Sequence, residues 1–310
     1  MCQQCDIGLI ESLRLDRGWV VEFLVEHQVF MPEIKCPKCN NRLKLNKEKL
    51  HYRCYNYIAR KKKKKKQCTV GISAKVGTLF EHSRIDIMVY WRLIILLLHV
   101  RPPRYKLLIE ELGIANRSVS SWCMYSRDVL IHNCLKRSEK LGGDSKYIEL
   151  VEANLDLSKT KQNSITNQLV LSGIEIESKK SFFIVIENPE PANLLAVFKE
   201  WIFPNTFVVT NCVKIEHCLK DKQFLEYTVE YCVNFVKPEM VTECKQAIKR
   251  TWREVGISNM PKSCNSNLTG FLAEYQFKRK YTRLQRLHHF FIAAGDLFRR
   301  DNKQESGVRV

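Results

Sequence analysis

Four cysteines in the first quarter of the chain constrain its fold more than any other feature. The pair in Cys36-Pro37-Lys38-Cys39 is followed by Cys54 and then by Cys68, with fourteen and thirteen residues in the intervening segments. Thiolates with this spacing can close a tetrahedral zinc site. We therefore predict a zinc ribbon over residues 35–84 with structural Zn²⁺ on all four cysteines. The alternative is a set of buried thiols that bind no metal.

A run of basic residues lies between the third and fourth of these cysteines. Arg60 is followed by six consecutive lysines, Lys61, Lys62, Lys63, Lys64, Lys65 and Lys66. Because Zn²⁺ binding to short peptides releases roughly 10 to 16 kcal/mol, a ribbon tolerates a charged, unstructured insertion between its ligands. We predict such an insertion here. Its lysines are candidate phosphate contacts or a nuclear localisation signal, with a solvated loop as the alternative.

The charge of the whole chain points to a polyanionic partner. The 310 residues carry a formal net charge of +18, and basic side chains that neutralise phosphates release condensed counterions. Charged residues such as Asp6 and Arg14 interrupt the first thirty positions, which argues against a secretory signal peptide. The apolar segment 85–100 is too short for a bilayer helix. We expect an intracellular protein that binds double-stranded DNA and no membrane.

The other nine of the thirteen cysteines are expected to be reduced thiols, most of them in the core. Cys2 and Cys5 form a second Cys-x-x-Cys pair, but no partners with suitable spacing accompany it, so we expect a disordered terminus there. Histidines such as His288 and His289 lack metal-ligand spacing with an acidic partner. We expect them to have surface or core roles.

Helical patterns dominate the first half of the chain. Residues 1–34 form a leader of two short helices broken near Gly18, and a buried helix follows from residue 85 to Arg101-Pro102-Pro103. Within region 85–141, a helix, a turn at Gly113 and a helix capped by Asn116 or Ser118 indicate a helix-turn-helix unit. The base-facing candidates are Arg117, Ser118, Ser120 and Ser121. The alternative is a helical pair that binds nothing.

Strand-like patterns follow a linker predicted at Gly142-Gly143. Runs rich in β-branched and aromatic residues predict strands at 147–151, 168–176, 181–186 and 207–210, with helices at 192–201 and 244–255. This order predicts an RNase H-like domain over residues 142–262. A basic helical tail at 263–310 either clamps DNA or is a solvated amphipathic helix. The fold class is thus a multidomain α+β and α/β protein.

The order of several motifs resembles that of Merlin-type transposases, members of a DDE superfamily shared with bacterial insertion sequences. The similarity covers roughly residues 36–300 and is carried by the order rather than by any single motif. The motifs are Cys36-Pro37-Lys38-Cys39, Tyr52-Arg53-Cys54, Gln67-Cys68, Gly77-Thr78-Leu79-Phe80-Glu81, the helix from Trp122 to Arg127-Asp128, Asn234-Phe235-Val236, Trp252 and Phe271-Leu272-Ala273-Glu274-Tyr275.

The resemblance implies an RNase H-like domain in which three acidic residues hold two divalent cations for DNA cleavage and joining. Matched motif by motif, the three acidic positions correspond to Val151, Asn211 and Lys249. A valine has no ligand atom, an amide offers a neutral carbonyl, and an ammonium repels a cation. We therefore expect no catalytic residues and no Mg²⁺ at these positions.

Three functional hypotheses remain open at this point. The first is a nuclear, transposase-derived DNA-binding protein that does not cut DNA, with a second copy of the chain as a further partner. The second is an active transposase or nuclease with shifted ligands, drawn from Glu149, Glu152, Asp156, Glu175 and Glu216. The third is a protein-interaction scaffold whose ancestral DNA-binding face no longer functions.

Overall fold

The computed structural model describes residues 2, 5–60, 63–81, 83–101, 104–156, 167–178, 180–186, 190–210, 234–236 and 268–298. The chain divides into two compact units. Unit 1 comprises Met1–Asn133 with Tyr281–Val310, and unit 2 comprises Cys134–Lys280. The segment 263–310, predicted as one tail, is therefore shared between them. Within the described residues, no helix has both the length and the apolar character needed to cross a membrane.

Unit 1 contains six short strands. They are β1 Glu33–Lys35, β2 Arg42–Asn46, β3 His51–Arg53, β4 Tyr57–Arg60, β5 Lys63–Gln67 and β6 Gly71–Ser73. Four of them form an antiparallel sheet in the order β1-β2-β3-β6, and the other two, β4 and β5, pair with one another. The predicted zinc ligands lie in the loops at the ends of these strands.

The β4–β5 pair shows that the expectation of an unstructured insertion was wrong. Tyr57 pairs with Gln67 and Ile58 with Lys66, and the register shifts before Arg60 pairs with Lys63. We call residues 57–67 the lysine hairpin. Lysine has a low β-propensity. The lysines adopt strand geometry here because antiparallel pairing satisfies the backbone N–H and C=O groups, and the like charges of the side chains do not affect these backbone bonds.

Six helices complete the described part of unit 1. They are α1 Leu9–Arg14, α2 Arg17–Glu26, α3 Ile87–His99, α4 Tyr105–Leu112, α5 Asn116–Lys136, which continues into unit 2, and the last helix of the chain, α8 Arg286–Leu297. The break in the leader falls at Asp16 rather than near Gly18. The Asp16 carboxylate accepts a hydrogen bond from the backbone N–H of Trp19 at 2.8 Å, so it caps α2.

Aromatic rings from three helices form the core of unit 1. The rings of Trp91 on α3 and Phe291 on α8 stack with centroids 5.4 Å apart, and Phe23 of α2 meets both edge-on. The buried helix predicted near residue 85 is confirmed as α3. Helix α8 is a core helix, since Leu287, Phe290 and Phe291 are fully buried, so the solvated amphipathic helix, one of the two alternatives for the tail, is wrong for this part of it.

Unit 2 is built on a five-stranded mixed sheet. Its elements are β7 Tyr147–Asp156, β8 Asn167–Glu175, β9 Ser181–Ile186, α6 Pro191–Trp201, β10 Phe207–Thr210, β11 Asn234–Val236 and α7 Leu268–Lys280. The strand order is β11-β10-β7-β8-β9, with antiparallel pairing in the β7-β8-β9 meander and parallel pairing of β10 with β7 and β11. This sheet is consistent with the predicted RNase H-like domain. The helix predicted at 244–255 lies outside the described residues.

Helices cover both faces of this sheet. Adjacent residues of β9 point to opposite sides, as strand geometry requires. Phe182 packs in a cluster with Phe198 and Trp201 of α6, whereas Phe183 packs in a second cluster with Leu272 of α7. The described strands are therefore buried between helical layers.

The glycine pair predicted as a linker is a packed corner. Gly142 and Gly143 have φ values of 86° and 111°, a backbone region that favours glycine. A Cβ on Gly142 would lie 2.3 Å from Oγ1 of Thr206. The Gly142 N–H donates to the Glu175 carboxylate at 2.7 Å, and the Gly143 N–H donates to Thr206 at 2.9 Å. The linker prediction was wrong, because Gly142 is needed for the close approach of Thr206 and Gly143 for its positive φ.

Candidate metal centre and nucleic-acid interface

The structure brings the four predicted cysteines together. Their sulfur atoms all lie within 4.8 Å of one another. The Sγ atoms of Cys36 and Cys68 are 3.8 Å apart, and those of Cys39 and Cys54 are 3.4 Å apart. Zn–S bonds of about 2.3 Å in a tetrahedron place neighbouring sulfurs about 3.8 Å apart. The donor set and its size therefore fit Zn²⁺, and we call these four residues the four-cysteine cluster.

Backbone hydrogen bonds close both loops that carry the cysteines. The N–H of Cys36 donates to the carbonyl of Asn41 at 2.8 Å, and the N–H of Asn40 donates back to Cys36 at 2.9 Å. Asn40 takes a φ of 57° to complete this turn, a conformation that asparagine tolerates better than most residues. On the other side, the N–H of Cys54 donates to Val70 at 2.8 Å. The sulfur positions are thus fixed by the backbone.

The sulfur atoms lie in a mostly buried environment and form no disulfide among the described cysteines. Burial raises the pKa of Cys36, but the N–H groups of Lys38 and Cys39 outweigh it and lower this pKa to about 7. The N–H of Asn56 lowers the pKa of Cys54, but burial and the neighbouring thiols outweigh it and raise this pKa to about 12. Hydrogen bonds between the thiols thus contribute to both shifts, lowering the pKa of Cys36 and raising that of Cys54.

The lysine hairpin begins and ends at this cluster. Asn56 accepts from the N–H of Tyr57 through its side chain at 2.9 Å and from the N–H of Cys68 through its carbonyl at 2.6 Å. Its amide also donates to Sγ of Cys39 at 3.8 Å. Lys66 is exposed, Lys63 to Lys65 lie on β5, and Lys61 and Lys62 lie outside the described residues. One asparagine therefore connects both strands to the cluster.

The predicted base-facing residues lie at the start of α5. Helix α4 ends at Gly113 with φ of 62°, and the carbonyl of Ala115 accepts the first bond of α5 from Val119 at 3.1 Å. The predicted caps Asn116 and Ser118 therefore lie inside the helix. Arg117 and Ser120 are exposed and Ser118 and Ser121 are half-buried, while Val119 and Trp122 are buried. The first turns of α5 thus present a polar face.

One of the three predicted catalytic positions, Val151, is described, and it lies on β7, the central strand of the unit 2 sheet. Val151 is half-buried on β7 and pairs with Ser172 of β8. Strand β10 ends at Thr210, which pairs with Leu150, one residue before Val151. Asn211 and Lys249 lie outside the described residues. Val151, the described position of this triad, has no ligand atom in its side chain.

Neighbouring carboxylates do not form a cluster of three within the described residues. Glu149 is buried on β7, and Glu152 and Asp156 lie further along the same strand; Glu216 is outside the described part of the chain. Glu175 is only 3% exposed and accepts from the Gly142 N–H at 2.7 Å, with Nζ of Lys146 at 3.5 Å. Its carboxylate is therefore engaged in the corner that starts β7.

The pKa of Glu175 reflects these contacts. Burial by itself raises the pKa, but the Gly142 N–H, the Ser178 hydroxyl and the Lys146 ammonium outweigh burial and hold it below the usual range of a glutamate. The charged form is thus the one that the fold stabilises.

Comparisons with known proteins give distant similarities only. No protein-family model matches the sequence, and no curated protein matches it. Among solved structures, the catalytic core domain of BIV integrase is 8% identical with a TM-score of 0.33, covering 44% of this chain and 85% of that chain. The HTLV-2 integrase catalytic core in complex with magnesium is 9% identical with a TM-score of 0.33, covering 47% and 96%.

A third similar structure is the simian T-cell lymphotropic virus intasome in complex with PP2A regulatory subunit B56 gamma. It is 10% identical with a TM-score of 0.32, and the match covers 60% of this chain and 70% of that chain. At this level the similarity concerns the path of the chain and says nothing about activity.

Two features of the site region escaped sequence reasoning. The sequence of the lysine hairpin has no hydrophobic alternation that would reveal its pairing, because β5 consists of four lysines and Gln67. The core position of α8 did have a signal. Leu287, Phe290, Phe291 and Ala294 follow the i, i+3, i+4, i+7 spacing of a buried helical face.

Proposed function

We propose that this protein is a transposase-derived DNA-binding protein that holds Zn²⁺ in its four-cysteine cluster and does not cleave DNA. The observation that carries this proposal is the position of the four-cysteine cluster at the base of the lysine hairpin. Metal binding and polyanion binding are thereby joined in one small module.

Zinc gives the lysine hairpin the stability that its own residues lack. An isolated two-stranded hairpin is marginally stable in water, and the pairing of Arg60 with Lys63 places like charges opposite each other, which is destabilising. Cys54 precedes the hairpin and Cys68 follows it, so a metal ion on both fixes the distance between its ends. The ion would thus convert a self-repelling segment into a rigid basic ribbon.

Such a ribbon suits duplex DNA in both charge and size. Lysines on it can neutralise phosphates and release counterions, a contribution that is independent of sequence. The major groove admits a two-stranded ribbon as well as a helix. Tyr55 and Tyr57, each 62% exposed beside the cluster, add flat surfaces that can pack on sugars or bases.

The start of α5 supplies a second DNA contact. The helix pair α4–α5 acts as the helix-turn-helix unit, and Arg117, Ser118, Ser120 and Ser121 lie where the N-terminal turns of a recognition helix face the groove. Their short hydroxyls and one guanidinium can donate to base edges or to phosphates. Sequence preference would come from this helix and affinity from the lysine hairpin.

The absence of cleavage follows from the chemistry of the former catalytic positions. Two-metal hydrolysis needs carboxylate oxygens to hold both cations, and Val151, Asn211 and Lys249 provide none. The four-cysteine cluster does not replace that site, because zinc with four protein ligands has no open position for water. The bound metal is therefore structural.

The test combines metal content, binding and cleavage on the full chain. Purified protein is assayed for zinc, for binding to a random-sequence duplex between about 50 and 200 mM salt, and for nicking of supercoiled DNA with Mg²⁺ or Mn²⁺. We expect bound zinc, affinity that falls steeply with salt, and no nicking. No binding to long duplexes, or binding unaffected by salt, would contradict the proposal.

A further inference from the structure

We propose that Cys2, Cys5, His27 and His288 form a second structural zinc site, separate from the four-cysteine cluster. The donor atoms of these four residues all lie within 4.8 Å of one another. The sequence-based expectation that Cys2 and Cys5 have no partners and lie in a disordered terminus was therefore wrong, whereas His288 is buried, in agreement with the core role expected for it. Two thiolates and two imidazoles form a donor set that zinc prefers.

The four residues come from three separate parts of unit 1. Cys2 and Cys5 precede α1, and the N–H of Cys2 donates to the carbonyl of Glu26 at 3.3 Å. The N–H of Ile7 donates to Leu284 at 3.0 Å, just before α8. His27 directly follows α2, and His288 lies in the first turn of α8. Backbone contacts thus hold the cysteine segment against both histidine-bearing elements.

The distances between donor atoms match a single tetrahedral ion. Sγ of Cys5 is 3.3 Å from Nε2 of His27 and 3.2 Å from Nδ1 of His288, and these two nitrogens are 3.1 Å apart. Bonds of about 2.3 Å to sulfur and about 2.0 to 2.1 Å to nitrogen give tetrahedral edges of about 3.6 Å and about 3.3 Å. The observed edges are shorter by only a few tenths of an ångström.

His27 is oriented as a metal ligand is. Its Nδ1 lies 2.7 Å from the carbonyl oxygen of Phe23, and because a carbonyl only accepts, the proton of the neutral ring is on Nδ1. The lone pair of Nε2 then points toward Cys5 and His288. Ligating histidines usually donate their second nitrogen in this way. The Phe23 ring, stacked at 3.8 Å, fixes the plane of the imidazole.

Hydrogen bonds among these four side chains explain their arrangement less well than a shared metal ion does. Hydrogen bonds would link the groups in a chain, in which each donor faces one acceptor. Here all four donor atoms converge on one small volume, and His27 and His288 are only 2% and 4% exposed. Convergence of four ligand atoms from distant segments is what a shared central ion requires.

A metal ion at this position would join segments far apart in the sequence. His27 and His288 are separated by 261 positions, and cross-links that close long loops remove the most conformational entropy from the unfolded chain. The site would secure the segment before α1 and helix α8 against α2. Its role is therefore the integrity of unit 1, independent of DNA binding.

The ion count of the full chain tests this site. Native mass spectrometry should find two zinc ions in the wild-type protein and one in His288→Gln. The matched control is His289→Gln, because His289 is adjacent, stacks on Tyr281 and belongs to neither cluster; it should keep two ions. Cys39→Ser should also keep one ion, this time at the second site.

Cobalt substitution distinguishes the two ions. The cobalt form of His288→Gln should retain the intense thiolate charge-transfer band of four sulfurs, whereas that of Cys39→Ser should show the weaker band of two. One metal ion per wild-type chain, with the cobalt spectrum of four sulfur ligands, would overturn the second site even if the variants fail to fold. Two bound ions and an unchanged cobalt spectrum in His288→Gln would also overturn the second site. Two bound ions without DNA binding would support this site and contradict the proposed function instead.

Discussion

The module formed by strands β1 to β6 and the strand pair β7–β10 differ in the ligand atoms that they bring together for a metal ion. The module gathers four sulfur atoms within 4.8 Å from loops fixed by backbone hydrogen bonds. The strand pair has a valine, Val151, beside the end of β10. Both regions have sheet geometry, but among the described side chains only the first brings four ligand atoms together.

This difference separates two functions that metal ions serve in DNA-processing proteins. A sulfur-ligated zinc ion organises a fold and has no open coordination site, whereas hydrolysis needs oxygen ligands and accessible cations. Under the proposed function, DNA recognition by unit 1 does not depend on the chemistry of unit 2. The following predictions test the two regions separately.

Removing one ligand of the four-cysteine cluster should have the largest effect. Cys39→Ser should lose one zinc ion and weaken binding to random duplex DNA at least about tenfold, because zinc binding contributes on the order of 10 kcal/mol to the folding of such modules. Mass spectrometry and fluorescence anisotropy measure the two quantities.

The matched control for this variant is Cys134→Ser. Cys134 is half-buried and belongs to neither cluster. It should leave zinc content and DNA affinity unchanged. If Cys39→Ser binds DNA as the wild type does, the module is not the site of recognition.

Neutralising the hairpin should have the next largest effect. Replacement of Lys63 to Lys66 by glutamine should lower the slope of log affinity against log salt by up to about 4, since each phosphate contact contributes about 0.9. Zinc content should stay the same, which would show that the lost charge, and not a loss of folding, causes the change in DNA binding.

A control with equal loss of charge uses exposed lysines outside the hairpin. Lys44, Lys49, Lys106 and Lys199 are all exposed, and their replacement by glutamine should reduce the slope by less. Equal slopes for the two variants would show that the hairpin has no special part in binding.

Glu175→Gln should cause a moderate loss of stability in unit 2. At pH 7 the variant loses a charged acceptor for Gly142 and Lys146, which we expect to cost about 1 to 3 kcal/mol. Because the folded pKa of Glu175 is held low, its contribution is present above the usual glutamate pKa and disappears as pH falls through the lowered value.

Denaturant unfolding between pH 3 and 7 measures this difference. Glu177→Gln is the control, because Glu177 is exposed two residues away. A stability difference that stays constant with pH would indicate that packing, and not the charge of Glu175, is responsible.

Substitution of the carboxylates further along β7 should have no effect on DNA cleavage. Glu152→Ala and Asp156→Ala should leave supercoiled DNA as intact as the wild type does in Mg²⁺ or Mn²⁺, because the proposed function assigns no cleavage to this chain. If the wild type nicks DNA and either substitution abolishes the nicking, shifted carboxylates rebuild the catalytic site. The two regions would then not differ as described.

Features encoded by neighbouring residues could be predicted from the sequence. The four-cysteine cluster follows from short spacings between its ligands, and helix α3 and the β7-β8-β9 meander follow from hydrophobic patterns. The break at Asp16 was also encoded locally, since its carboxylate caps α2, but Gly18 was the more prominent signal because glycine is a common helix breaker.

Features that depend on distant residues could not be predicted. His288 approaches Cys5 only after α8 packs on α2, and no spacing rule spans that distance. The lysine hairpin is held from outside by Asn56 and the cysteines, against the preference of its own residues. Gly142 and Gly143 form a packed corner because Thr206 and Glu175 reach them from other parts of the chain.

The salt dependence of DNA binding tests the central claim most directly. The affinity of the zinc-loaded full chain for a random-sequence duplex is measured by anisotropy from about 50 to 200 mM salt. With six or more phosphate contacts, we predict that affinity falls about a thousandfold or more across this range. Binding that does not change with salt, or no binding at the lowest salt, would contradict a role in DNA recognition.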